Sequence, residues 1–111
     1  MEKIALVLML IILIGCMANS LESQKPIYSG YSSKNIDELN RCISPKWVNM
    51  NSSSASIPIE SGFKIVATKG LLGVLSIVKI ENNSKGGSDV NVYAVARGWN
   101  DHWEVAARSC M

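Results

Sequence analysis

The chain has 111 residues, with 11 lysines and arginines against 9 aspartates and glutamates, and a formal net charge of +2. Its length suits one small domain rather than two. The basic residues are scattered along the sequence, and no run of them predicts a groove for nucleic acid. Composition and charge therefore exclude a multidomain enzyme and argue against a nucleic-acid partner.

The most informative segment is an apolar run at the amino terminus. It extends from Ile4 to Ile14, contains 11 uncharged residues and follows Lys3. As a helix it would reach only roughly 16 Å, about half of the ~30 Å hydrocarbon core of a bilayer. This length is typical of the apolar region of a signal peptide. We therefore expect export rather than a membrane span.

The run ends in Leu13-Ile14-Gly15-Cys16. This ending resembles the lipobox of bacterial lipoprotein precursors. The resemblance implies removal of residues 1–15, diacylglycerol on the Cys16 thiol and a fatty acyl chain such as palmitate on the new amino terminus. Two alternatives remain, an ordinary secretory signal cut near Ala18 and an uncleaved anchor. Residue 17 is Met rather than Asp, which by the same resemblance favours the periplasmic face of the outer membrane over the inner membrane.

Two further cysteines, Cys42 and Cys110, remain for the exported domain. An even pair in an oxidising compartment predicts one disulfide, and two separate buried thiols are the alternative. The disulfide would close most of the domain into one loop, which the chain-entropy model values at roughly 4 kcal/mol.

The sequence order predicts an α+β domain at residues 34–111, preceded by a flexible Ser-rich tether at 16–33. Tyr28 and Tyr31 lie in this tether, and the alternatives for them are packing on the domain or contact with a partner. A helix is expected from a Ser33 cap to Ile43, where Ser44-Pro45 would end it. The following elements are expected to be a short strand at 46–50, a polar loop at 51–56 and an extended lead-in at 57–62.

Val and Ile then dominate three expected strands, at 63–69, 73–81 and 89–97, with a hairpin connection at 82–88. The last element is a helix from Trp99 to Cys110, capped by Asn100 or Asp101. The predicted fold is a three- or four-stranded antiparallel sheet with both helices on one side. Alanines in the strands are expected on the helix-covered face, where helix backbones come close.

Few residues suggest catalysis. His102 is the only histidine and is expected at the surface, and no spacing predicts a zinc site, a phosphate loop or a paired-carboxylate site. The three tryptophans, including Trp99 and Trp103, fit core packing better than ligand stacking. We expect no cofactor and no enzymatic activity. A small hydrolase or ligand-binding module with a groove near Trp99 and His102 is the alternative.

The expected role is a binding, accessory or inhibitor module with an envelope protein as partner. Strand alternation places Tyr93, Val95 and Arg97 on the face away from the helices, joined by Ile77 if the middle strand has that register. This mixture of apolar and charged residues is typical of a protein-binding face. The alternative is that residues 47–59 fold over this face as a fourth strand or lid.

Overall fold

A computed structural model describes residues 21–70, 73–95 and 101–111. These residues form five strands and two helices of the α+β class. In chain order the elements are β1 Tyr28–Ser32, α1 Ile36–Met50, β2 Ala55–Ile59, β3 Gly62–Thr68, β4 Val74–Asn82, β5 Ser88–Ala94 and α2 His102–Arg108.

All strand pairs are antiparallel, and the strand order across the sheet is β1-β5-β4-β3-β2. The three predicted strands are the central β3, β4 and β5. The prediction of three or four strands was too low because both edge strands lack a strong apolar alternation. β2 contains Pro58, which an edge strand tolerates because its missing N–H need not face a neighbour.

Strand β1 lies inside the segment for which the sequence predicts a flexible tether. Its residues Tyr28 to Ser32 pair with Val92 to Ser88 of β5. Ser32 Oγ also donates to the Met111 carbonyl oxygen at 2.9 Å. The ordered domain therefore begins before residue 34, and Tyr28 and Tyr31 belong to it.

Helix α1 begins later and ends later than the sequence predicts. Asn35, not Ser33, is the cap, and its side chain accepts from the Glu38 backbone N–H at 2.9 Å. Pro45 lies inside the helix and does not end it, so the expected strand at 46–50 is the last part of α1. An interior proline costs about 3 kcal/mol. Continuing the helix buries Trp47 completely, which offsets that cost.

The core lies between the two helices and one face of the sheet. Trp47 and Trp103, one from each helix, have ring centroids 5.0 Å apart. Small Ala67 and Ala94 face them from the sheet, as the sequence predicts. The core cluster consists of Leu39, Ile43, Trp47, Ile65, Ala67, Val78, Ile80, Val90, Val92, Ala94, Trp103, Ala107 and Cys110.

The predicted disulfide joins Cys42 of α1 to Cys110 after α2, with Cα atoms 5.8 Å apart. The end of the chain is also held by Lys34 Nζ, which donates to the Cys110 carbonyl oxygen at 2.8 Å. Asp101, one of the two predicted caps, accepts from the Trp103 N–H at 2.8 Å and starts α2. Covalent and polar contacts therefore fix the last helix to the first.

Candidate binding surfaces

The sheet face away from the helices is called here the open face. Along β3, β4 and β5 its residues alternate with the core residues Ile65, Val78 and Val92, which lie on the helix-covered face. The strand register places the central residues of the open face in two rows across these strands. The open face is defined by Lys64, Lys79 and Asn91 in one row and by Val66, Ile77 and Tyr93 in the next.

The amino-terminal end of the described chain lies on the open face. Glu22 bridges its two lysines, with Oε2 accepting from Lys64 Nζ at 2.9 Å and Oε1 lying 3.7 Å from Lys79 Nζ. Ile77 is fully buried and Leu21 is 5% exposed, although neither belongs to the helix-side core. A second, smaller apolar layer is therefore buried on this face, next to the Glu22 ion pairs.

The electrostatics of Tyr93 reflect the same arrangement. Partial burial raises the pKa of the Tyr93 hydroxyl above 10.0, and the carboxylates of Glu22 and Glu81 raise it further. Both effects disfavour the tyrosinate, the first by desolvation and the second by like-charge repulsion. Tyr93 is therefore a neutral hydrogen-bonding group on a partly dry surface.

The four residues predicted to bind a partner do not form one open patch. Tyr93 and Ile77 are paired across β5 and β4, but Ile77 is fully buried. Val95, directly after β5, is 65% exposed. Arg97 lies outside the described residues, as does Trp99. The alternative that residues 47–59 cover this face is wrong, because Trp47 is in the helix-side core and Ala55–Ile59 extends the sheet at its edge.

A cleft of about 730 Å³ lies at one end of the sheet, where the end of α1 meets the start of α2. Of the described residues among Tyr93, Val95, Arg97 and Ile77, Val95 lines it. The apolar lining is formed by Met50, Leu75, Val95 and Trp103, and the polar lining by Asn51, Ser52, Ser53, Thr68, Lys69 and His102, with Gly70.

Two of the tryptophans are structural, as the sequence predicts. The buried Trp47 donates from Nε1 to Ser76 Oγ at 3.1 Å, and Trp103 is 7% exposed. His102 is exposed at the first position of α2, and its ring centroid lies 4.6 Å from that of Trp103. The sequence predicted a groove near His102 only as an alternative, and it gave no signal that Met50 would line the cleft.

Among the described residues, the polar side chains of the cleft are one imidazole, one lysine, one amide and three hydroxyls. Its described lining contains no carboxylate to orient the imidazole.

Within residues 21–70, 73–95 and 101–111, no three His, Cys, Asp or Glu side chains come together to hold a metal ion. The same ranges contain no helix that is both long and apolar enough to cross a membrane. Comparison with known proteins finds no matching family model, no matching curated protein and no matching solved structure.

Proposed function

We propose that the protein is a small lipid-anchored component of the bacterial cell envelope that acts by binding another envelope protein at the cleft. The observation that carries this proposal is the exposed Val95, which lines a cleft together with the apolar residues Met50, Leu75 and Trp103. Continuous apolar surface edged by polar groups is typical of protein–protein contact sites. The cleft thus takes the place of the sheet centre as the partner site.

The chemistry of the cleft suggests what the partner contributes. Met50, Leu75 and Trp103 would receive an apolar side chain of the partner. Lys69 and the neighbouring hydroxyls would bind an acceptor such as a carboxylate or a backbone carbonyl. Since Val95 is 65% exposed, the apolar lining reaches solvent, and a protein segment fits this site better than a fully enclosed small ligand.

The partner proposal is tested with Val95→Glu in the lipidated protein. Because Val95 is 65% exposed, the substitution should change the free energy of unfolding by no more than about 0.5 kcal/mol. It should abolish the crosslinked partner band recovered from cells. Val105→Glu is the matched control, since Val105 is 53% exposed on α2 and does not line the cleft. Equal capture by both variants would contradict the proposal.

The anchor is proposed from the Leu13-Ile14-Gly15-Cys16 motif, and the disulfide supports an oxidising compartment. Intact-mass analysis should show a mature chain that begins at Cys16 and carries acyl chains. The variant Cys16→Ser should accumulate as unprocessed precursor. Gradient fractionation should place the wild-type protein with outer-membrane markers. Recovery with inner-membrane markers would refute that location alone.

One observation favours a second candidate, a small hydrolase. His102, Ser52 and Ser53 line the same cleft, so a base and a hydroxyl nucleophile are present in one site. Because the His102 side chain is exposed, His102→Ala should change the free energy of unfolding by no more than about 0.5 kcal/mol. Under the binding proposal, any loss of phenotype in this variant should be accompanied by a loss of partner capture. A lost phenotype with partner capture and the melting curve both unchanged would favour the hydrolase.

A further inference from the structure

We propose that the open face lies against the bilayer into which the acyl chains on Cys16 insert. The short segment between Cys16 and Leu21, called the leash, would hold the domain in this orientation. This inference rests on the lipidation of Cys16 in the proposed function. The open face is distinct from the cleft, and it would contact lipid rather than a protein.

The leash is too short to let the domain move far from the bilayer. Only residues 17–20 separate Cys16 from Leu21, the first described residue. Five residue steps span at most roughly 18 Å when fully extended. A free tether reaching to residue 33 would have allowed about 50 Å or more by the same measure. The sheet is thus held within a distance smaller than the ~30 Å hydrocarbon core of the bilayer itself.

The leash meets the domain on the open face. Glu22 is paired with Lys64 and Lys79 near the middle of the open face, and its side chain is only 18% exposed. After this contact the chain reaches the sheet edge, where the Ile27 N–H donates to the Val92 carbonyl oxygen at 2.8 Å. The lipid therefore pulls on the open face and not on the helix layer.

The exposed side chains and the balanced charges of the open face suit contact with a membrane surface. Tyr31 on β1 and Ile57 on β2 are 57% and 46% exposed at opposite edges of the sheet. Their strand registers, opposite Asp89 and Lys64, place both on the open face. Tyrosine and aliphatic side chains favour the membrane interface. The acids Glu22 and Glu81 lie beside the basic residues of this face, so contact with a zwitterionic bilayer needs no anionic lipid.

This orientation leaves the helix layer toward the periplasm. Val105 on the outer side of α2 is 53% exposed and is separated from the sheet by the thickness of a helix, about 10 Å. The cleft lies at the end of the sheet, between these two levels. The domain would thus present its partner site sideways and upward while its open face is occupied by lipid.

The test uses the full-length lipidated protein in phosphatidylcholine vesicles, with a single thiol-reactive fluorophore at Ile57→Cys or Val105→Cys. These positions suit labelling because both are exposed and the native cysteines are acylated or in the disulfide. We expect lipids brominated near the headgroup to quench the label at position 57 several-fold more than the label at 105. Aqueous iodide should show the opposite preference. Melting curves verify that both variants are folded.

A leash variant separates cause from coincidence. Insertion of 20 Gly and Ser residues between Ala18 and Asn19 would lengthen the connection by about 25 Å on average, and the difference between the two labels should largely disappear. An undiminished difference would refute the leash as its cause. Equal lipid quenching at positions 57 and 105 would overturn the orientation, as would a label at 57 that is shielded from iodide but not quenched by lipid. Intact mass is measured in every sample, so absence of the lipid would instead refute the proposed anchor.

Discussion

The two faces of the sheet are built in different ways. The helix-covered face has a continuous core that includes two tryptophans, and a disulfide ties its two helices together. The open face has a small apolar layer at Leu21 and Ile77 and a three-charge cluster around Glu22. Exposed and partly exposed ion pairs contribute little to stability, typically 0–1 kcal/mol each. The comparison indicates that one face holds the fold together while the other positions the amino-terminal segment.

The largest expected effect is on the helix-covered face. Trp47→Ala should lower the free energy of unfolding by about 3–5 kcal/mol, because it empties a fully buried site and leaves the buried Ser76 hydroxyl without its indole donor. Denaturant unfolding measures this loss. The adjacent Val48→Ala is the matched control at 43% exposure, and it should change stability by less than about 0.5 kcal/mol. Similar losses for both would contradict the assignment of the core.

A smaller effect is expected on the open face. Leu21→Ala should lower the free energy of unfolding by about 1–2 kcal/mol, less than for a central core leucine, because Leu21 lies outside the main core cluster. Ile57→Ala provides a control on the same face and should change the free energy of unfolding by less than about 0.5 kcal/mol. If Leu21→Ala has no effect on unfolding in denaturant, the segment does not contribute to the folded domain.

The smallest effect is a pH dependence from Tyr93. Its raised pKa means that the folded state keeps the phenolic proton after the unfolded state has begun to lose it near pH 10.0. Stability from this source is therefore complete below pH 10.0 and falls as pH rises toward the folded pKa.

An ultraviolet difference titration between wild type and Tyr93→Phe isolates this group, and its midpoint should lie above 10.0. Glu22→Gln should lower the midpoint without restoring it fully, since burial is the larger cause. Glu38→Gln, on the helix layer, serves as the control and should leave the midpoint where it is. A midpoint that ignores Glu22→Gln would place that carboxylate away from Tyr93.

Sequence patterns predict the elements that are strong in local signal. The Val- and Ile-rich strands, the hairpin, the Asp101 cap and the disulfide were all predicted because each depends on a few neighbouring residues or on a cysteine pair. The predicted first helix ended before Pro45 because a proline is unfavourable inside a helix. The burial of Trp47, which overrides it, depends on residues far away in sequence.

The candidate surfaces were harder to predict than the fold. Glu22 lies in a Ser-rich stretch with no apolar period, and its partner Lys64 is 42 positions later in the sequence. The β1 strand gave no signal for the same reason, since its stability comes from pairing with β5. The cleft brings together Met50 of α1, Leu75 of β4 and Val95, which follows β5. No local pattern marks a site of that kind.

The most direct test of the difference between the two faces is zero-length carbodiimide crosslinking of the mature protein, followed by peptide mapping. This reagent joins a carboxylate only to an amine in contact with it. The account predicts a covalent link between Glu22 and Lys64, whose charged atoms are 2.9 Å apart. The link from Glu81 to Lys79, at 3.9 Å within the sheet, serves as the internal control. Recovery of the control link without any link from Glu22 would contradict the docking of the amino-terminal segment on the open face.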